Sequence, residues 1–530
     1  MQLIKKLFSW LDSHGIELSA GFLLVLIPLY PKWPLVDLLP GYIVRLRLED
    51  ILIFCVGLLW LVQLLRRKVT LKDNPLFLPI ILYFGIGLLS SLSALFITKT
   101  VPLERLHVAK LFLHWMRRIE YMSLAFVFFS AIKTSRQLKR YITILAMVIV
   151  ILMLYGLGQK YLAWPVYSTM NREFSKGWRL VLTEHARVPS TFAGHYDFAA
   201  FSVICLAFVG SLMLGSSKTI KTKALWIVFA AGLVSLLMTA SRASFIAYLI
   251  AITAVIIFLS ARYTLKWGIS RWAGIMVISL IGMVLFGDLS QRFAHFFKVE
   301  QMKEYVLYEI LKREKTPPGI KVSSDLALVY TETDQPPVPL QSTPGELPPD
   351  VFENIPLAFP EATLSAGADA SISSIAGKPR TYSPAAFTFG LSSAIRFDAL
   401  WPMAIKGFLR NPLLGSGYST LLKTQLTDFT EAESTDNDYL RALGETGLLG
   451  FLSFFGILGF ALLSVWKHKD RIKDPFLFSL VIGIGGAIIG MLVNGLYIDV
   501  FEASKVAYIF WAMMGLLFAA IELGIRKKPI

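Results

Sequence analysis

About twelve stretches of this chain are apolar for long enough to cross a lipid bilayer, and that repetition limits the fold more than any single motif does. A hydrocarbon core about 30 Å thick takes roughly 20 apolar helical residues to span. Inside it every backbone N–H and C=O must be satisfied within the segment, which leaves helices or closed barrels. The runs are of helical length and lie at roughly 18–31, 48–65, 75–97, 119–132, 139–161, 191–214, 224–239, 243–260, 271–288, 444–466, 475–496 and 505–524. The first and seventh are short, so each is expected to be tilted, re-entrant or longer than drawn. A soluble chain of 530 residues would suggest several domains, but 55% hydrophobic residues and a mean hydropathy of +0.61 overrule that prior. The fold class expected is all-α: a polytopic integral membrane protein of about twelve transmembrane helices.

The formal net charge of +16 would raise nucleic-acid binding in a soluble chain. Here the lysines and arginines fall mostly in short loops between apolar runs, where topology and lipid head groups account for them. RRKVTLKD (66–73), IKTSRQLKR (132–140), SSKTIKTK (216–223), ARYTLKWGISR (261–271), WKHKDRIKD (466–474) and both termini are basic. Alternating crossings put all seven on one side, which the positive-inside rule assigns to the cytoplasm. MQLIKK leads through a short interfacial helix into the first span, and no cleavable signal is expected. Cys55 and Cys205 each lie inside an apolar run, so neither a disulfide framework nor a Cys-rich metal site is expected.

The outer side then receives a short connection at 32–47, an amphipathic interfacial helix over 98–118, a polar loop at 162–190, the tight break TASR at Thr239–Arg242, a large loop over 289–443, and a last brief connection at Tyr497–Ser504 carrying Asp499 and Glu502. Three parts follow: an N-terminal bundle of about nine helices over 1–288, the extracytoplasmic loop 289–443 between helices nine and ten, and about three C-terminal helices over 444–530. Residues 316–384 are rich in Pro, Ser, Thr and Ala, bury too little apolar surface to offset ordering, and read as a flexible insertion.

Chemistry is concentrated near Ser434–Gly450, STDNDYLRALGETGLLG, where capping residue types precede a helical pattern. Asp436, Asn437, Asp438, Tyr439, Arg441 and Glu445 gather there, where a positive helix end favours an anion. The plainer alternative is a polar cap that anchors a transmembrane helix. Arg242 sits among some thirty-five otherwise apolar or small residues, on the side that carries no topology signal. A guanidinium at that depth is costly unless paired or functional, or unless it snorkels to head groups. With Arg187, Arg396 and Arg441 it makes an outer-face set of forked donors suited to phosphate oxygens. His185 and His195 flank Arg187 and read first as hydrogen-bonded packing residues, second as proton acceptors. GIGGAIIG (483–490) reads as close helix packing. No Walker sequence, HExxH or CxxC is present.

RVPSTFAGHYDFAAF, LLMTASRASFIAYL, IRFDALWPMAIKGFLRNPLLGSGYS and DNDYLRALGETGLLGFLSF, in that order, resemble the O-antigen ligase/polymerase family of polytopic membrane glycosyltransferases over about 180–465. The resemblance implies a GT-C-like fold in a bacterial cytoplasmic membrane with an extracytoplasmic active site. It implies undecaprenyl-diphosphate-linked glycan donors, glycan, lipid or protein acceptors, and neither cofactor nor obligatory metal. Arg187 matches the arginine opening the family's R–x–x–(S/G)–T–F element, Arg242 the S–R of the next, and Arg396 the arginine before the PLLGxG turn. Asn437, Tyr439, Leu440, Glu445 and Gly447 fit the last motif, while Asp436 stands where the ligases have histidine. The arginines and the helix N-terminus are then expected to hold the diphosphate, and Asp436, or else Glu445 or His195, to take the acceptor proton. With the ligase histidine missing, a polymerase is favoured over a ligase. A transporter or a non-catalytic scaffold are the readings from other classes.

Overall fold

In the computed structural model the described residues are 2–39, 45–71, 73–169, 174–183, 186–215, 222–296, 357–358, 391–423 and 434–525. Each of the twelve expected spans falls on a helix. Helices α1 (Gln2–Leu29), α2 (Leu48–Leu65), α3 (Phe77–Phe96), α4 (Arg105–Ala131), α5 (Ser135–Tyr161), α6 (His195–Gly215), α7 (Thr222–Met238), α8 (Arg242–Ser260) and α9 (Leu265–Leu285) are followed by a nine-residue helix, α10 (Asp288–Phe296). After 390 come α11 (Leu391–Ile395), a π-helical turn at Arg396–Leu400, α12 (Trp401–Arg410), α13 (Asp438–His468), α14 (Pro475–Asn494) and α15 (Ser504–Ile525). Among the described residues ten helices are long and apolar enough to cross a membrane. The other two expected spans are α7, whose apolar part is Lys223–Met238, and the last half of α4. The interfacial helix expected to lead into the fourth span does so without a break as α4, as 27 residues without Pro or Gly allow.

Burial ranks the helices. α6, α14 and α15 are enclosed on nearly all sides, whereas α9 meets the bundle on a narrow strip. GIGGAIIG lies in α14, and a Cβ at Gly483 would stand 2.7 Å from Phe208 Cα, so the small residue is what lets α14 and α6 close up. The basic connections are gathered by contact: Arg66 and Lys68 pair with Asp12, Arg140 with Glu17 at 2.8 Å, and Arg262 donates to the Ile472 carbonyl. At the other end of the bundle, Lys505 Nζ donates to the carbonyls of Thr191 (2.7 Å) and Pro28 (3.1 Å), and Lys32 pairs with Glu49. Within the 32–47 connection, β1 (Pro34–Asp37) and β2 (Arg45–Arg47) pair antiparallel. Most of 316–384 lies outside the described residues; its Leu357–Ala358 pairs antiparallel with Leu180–Val181.

α13 is two helical pieces joined at Gly447, whose φ of 66° and ψ of −168° leave the helix. The break is filled by the PLLGSG turn: Leu448 N–H donates to Pro412 O (2.8 Å), and Gly417 N–H to Glu445 O (2.9 Å). Two sequence motifs about thirty residues apart are thus one interlocked joint. An L side chain at Gly447 meets both a disfavoured φ and the Leu413 backbone. Gly447→Ala is expected to destabilise by about 1–3 kcal/mol, seen as a lower thermal midpoint of the detergent-purified protein. Gly456→Ala, in the same helix with nothing within 4 Å of the new Cβ, should leave the midpoint unchanged or raise it.

Candidate anion-binding cleft and carboxylate

A cleft with about 210 Å³ of space opens between the starts of α6 and α8, α10 and the Arg396 turn, and three of the expected arginines line it: Arg187, Arg242 and Arg396. Tyr196, Tyr497 and Ser241 contribute polar groups; Ile246, Phe293 and Ile498 form apolar wall. The TASR break supplies one end. Ser241 caps α8, its Oγ accepting from Ser244 N–H, and Arg242 is the first helical residue. The positive end of α8 and the Arg242 side chain therefore face the same space.

Each remaining arginine is oriented by an aromatic ring. Arg187 lies 5.6 Å from the Tyr196 ring centre and donates to Tyr196 Oη (3.0 Å). Its Nη1 is also 2.7 Å from His195 Nε2; a guanidinium has no acceptor, so that ring nitrogen accepts. Arg396 stands 4.6 Å over the Tyr497 ring and is only 2% exposed. It sits in the π-helical turn, which rotates it out of register with the helix that follows.

Asp436 meets the cleft through Arg396, Oδ2 to Nη2 at 2.9 Å. Its backbone is left-handed, φ 49°, a conformation aspartate tolerates better than most residues. Asp499 holds the surrounding loop: its carboxylate accepts from Thr435 N–H and Asn437 N–H, both at 2.8 Å, and from Ser434 Oγ at 3.0 Å. Ser434 Oγ also lies 2.7 Å from Asp436 Oδ1, so its one proton is shared between the two carboxylates. Burial pushes the Asp436 carboxyl above its usual range, Arg396 opposes that, and nearby Asp499 adds to it. The result is a carboxylate more basic than an ordinary aspartate, beside a cation in a half-enclosed site.

At the start of α13 internal groups take the N–H groups: Asn437 N–H donates to Asp499 and Asp438 N–H to Gly495 O, both at 2.8 Å, while α8 presents the helix end that faces the cleft. Asn437 is a cap, accepting from Leu440 N–H at 2.9 Å, and Tyr439 donates to Leu492 O while stacking on Phe455. Arg441 is buried in a pair with Asp499 (3.0 Å) and lies 3.5 Å from Glu445. Glu445 pairs with Arg118 (2.9 Å) and accepts from Ser419 N–H (3.0 Å). The structure thus brings Arg187, His195, Arg242, Arg396 and Asp436 to one region and sets Arg441 and Glu445 in a buried ion network behind it. Arg118 also pairs with Glu502 at 2.7 Å, and the sequence alone assigns a role to neither Arg118 nor Asp499. Their ordinary positions, in an amphipathic helix and a brief connection, carry no signal until the distant partner is known. His185 lies outside the described residues. Among the described residues no group of three His, Cys, Asp or Glu is placed to hold a metal ion; the cleft's donors suit an anion.

Residues 227–455 match the family model described as O-antigen ligase. The matched segment contains Arg242, Arg396, Asp436 and the Gly447 joint, while Arg187 and His195 lie upstream of it. No curated protein matches the chain.

Proposed function

We propose, from the match of residues 227–455 to the O-antigen ligase family model, that this multi-pass membrane protein is a glycosyltransferase of the O-antigen ligase/polymerase kind, extending a glycan carried on undecaprenyl diphosphate at the extracytoplasmic face. The observation that carries the proposal is the Arg396–Asp436 pair beside a cleft that also holds Arg187 and Arg242. A lipid-diphosphate donor already has a good leaving group. What the protein must add is neutralisation of the diphosphate and alignment of an acceptor hydroxyl with the anomeric carbon.

In this mechanism Arg187, Arg242 and the α8 N-terminus bind the diphosphate oxygens. Arg396 bridges the donor and Asp436. The Asp436 carboxylate, made more basic by burial, takes the acceptor hydroxyl proton as its oxygen attacks from the face opposite the leaving diphosphate. The anomeric configuration inverts. His195 supports Arg187 through Nε2 and Glu445 holds Arg118, so Asp436 is the base. The cleft is too small for a whole lipid-linked glycan; the polyprenyl chain lies along the apolar wall toward the bilayer, and the sugars extend outward. Aspartate in place of the ligase histidine favours polymerase over ligase. Deleting the gene and running lipid-linked and surface glycans on a gel tests this. Loss of the ladder with single repeat units retained supports a polymerase; full-length lipid-linked chains that never reach an acceptor establish a ligase instead.

A further inference from the structure

The helix that runs on from the Arg396 turn has three distinct faces. In α12 (Trp401–Arg410), Ala404 and Gly407 are buried against the first piece of α13. A Cβ at Gly407 would stand 3.2 Å from Gly444 O, and one at Gly444 2.8 Å from Ala404 O. Ile405 and Leu409, four residues apart and therefore on one side, are exposed, Leu409 by 65%. Lys406 and Arg410 form the next strip, also exposed, and among the described residues neither has a carboxylate partner. The apolar strip continues past the helix. Leu413 is 58% exposed, and its carbonyl accepts from Leu449 N–H at 3.2 Å, which joins the strip to the exposed Leu448, Leu449 and Leu452 of α13.

Depth in the membrane follows from length. Beyond the break at Gly447, Leu448–His468 is about 30 Å of helix at 1.5 Å per residue, enough to cross the hydrocarbon unaided. The exposed leucines at its start therefore face lipid, and α12, packed on Gly444 just before the break, lies at the level of the head groups. A helix at that level, with an apolar strip continuous with a lipid-facing surface and cations beside it, has the pattern of an interfacial element. Cations without internal carboxylates are complemented there by anionic head groups. We propose that α12 is a lipid-binding element: Ile405, Leu409 and Leu413 insert among acyl chains, and Lys406 and Arg410 hold the head groups of anionic phospholipid. That seat fixes the depth of the Arg396 turn, from which the helix starts. The inference rests on the membrane-spanning fold and not on the glycosyltransferase reading, so the two fail separately.

The test uses the full chain with Cys55→Ser and Cys205→Ala and one new cysteine, Leu409→Cys, carrying a fluorophore. The protein is reconstituted in vesicles of mixed phosphatidylcholine and phosphatidylglycerol, with a nitroxide near the head-group end of an acyl chain in one lipid or the other. The label is expected to be quenched by the acyl-chain nitroxide and not by iodide in the water, with phosphatidylglycerol the more effective carrier. Lys406→Gln and Arg410→Gln should each lower that preference by about fivefold, the worth of one cation at an anionic surface. Raising the salt concentration should lower it too. Leu413→Cys carries the test if the Leu409→Cys protein does not insert. Quenching by iodide would place the helix in water, and quenching by neither agent would mean that protein covers the face; each result overturns the inference. Equal quenching by the two lipids, or a preference that survives Lys406→Gln together with Arg410→Gln, overturns it as well.

Discussion

Asp436→Asn lowers turnover by about 10²–10⁴-fold, the usual contribution of a positioned general base, while donor binding is retained. The asparagine keeps the size of the side chain and can still meet Ser434 Oγ, but it cannot accept a proton. Arg396 loses its ionic partner and is freer to bind diphosphate, so donor affinity holds or rises. Asp436→His restores the residue type of the ligase motif and should recover part of the rate. The wild type carries a related signature in its pH dependence. The base acts only when ionised, and burial raises the Asp436 carboxyl. Activity is therefore lost as pH falls through that raised value, and the acid limb lies above the ordinary aspartate value of about 3.9. Turnover and donor binding measured separately on purified variants check both. An Asp436→Asn protein that turns over like wild type makes Asp436 a loop residue and removes the acid limb from its account.

Arg242→Lys and Arg396→Lys each lower turnover by about 10²–10³-fold, the cost of removing one preorganised donor from developing charge. Lysine keeps the charge, but a point charge on a flexible stem replaces a planar fork. At Arg396 the loss is twofold in kind. The guanidinium stacks on Tyr497 and bonds Asp436 at the same time, which an ammonium cannot reproduce. At Arg242 the side chain emerges from a capped helix start and donates to Arg292 O, so its aim is fixed by backbone geometry. Donor binding should weaken in both, unlike the Asp436→Asn case. Membrane insertion and thermal midpoint serve as controls, and silent substitutions at both positions would make Arg242 an interfacial anchor.

What the sequence disclosed was governed by range. Helical spans are local, set by the apolar length of each run, and every one of the twelve falls on a helix. Arg242 was legible because an isolated arginine among apolar residues is anomalous wherever it points. Arg441 and Glu445 were legible as charged residues but not as a buried network, since Arg118 and Asp499 lie some 330 and 58 residues away. The positive end of α13 is legible locally, but that the distant Asp499 carboxylate accepts its Asn437 N–H is not. Gly447 read as a motif glycine, and only the PLLGSG turn lodged in the break explains why it is one.

The most direct test of the central claim is to supply the purified protein with a single-repeat glycan on undecaprenyl diphosphate, without nucleotide sugar or ATP, and to count products. One undecaprenyl diphosphate released for each new glycosidic bond, with the anomeric configuration inverted, is the result expected. Movement of intact lipid-linked glycan across a vesicle with no lipid diphosphate released would make the arginine cleft a transport site and contradict the account.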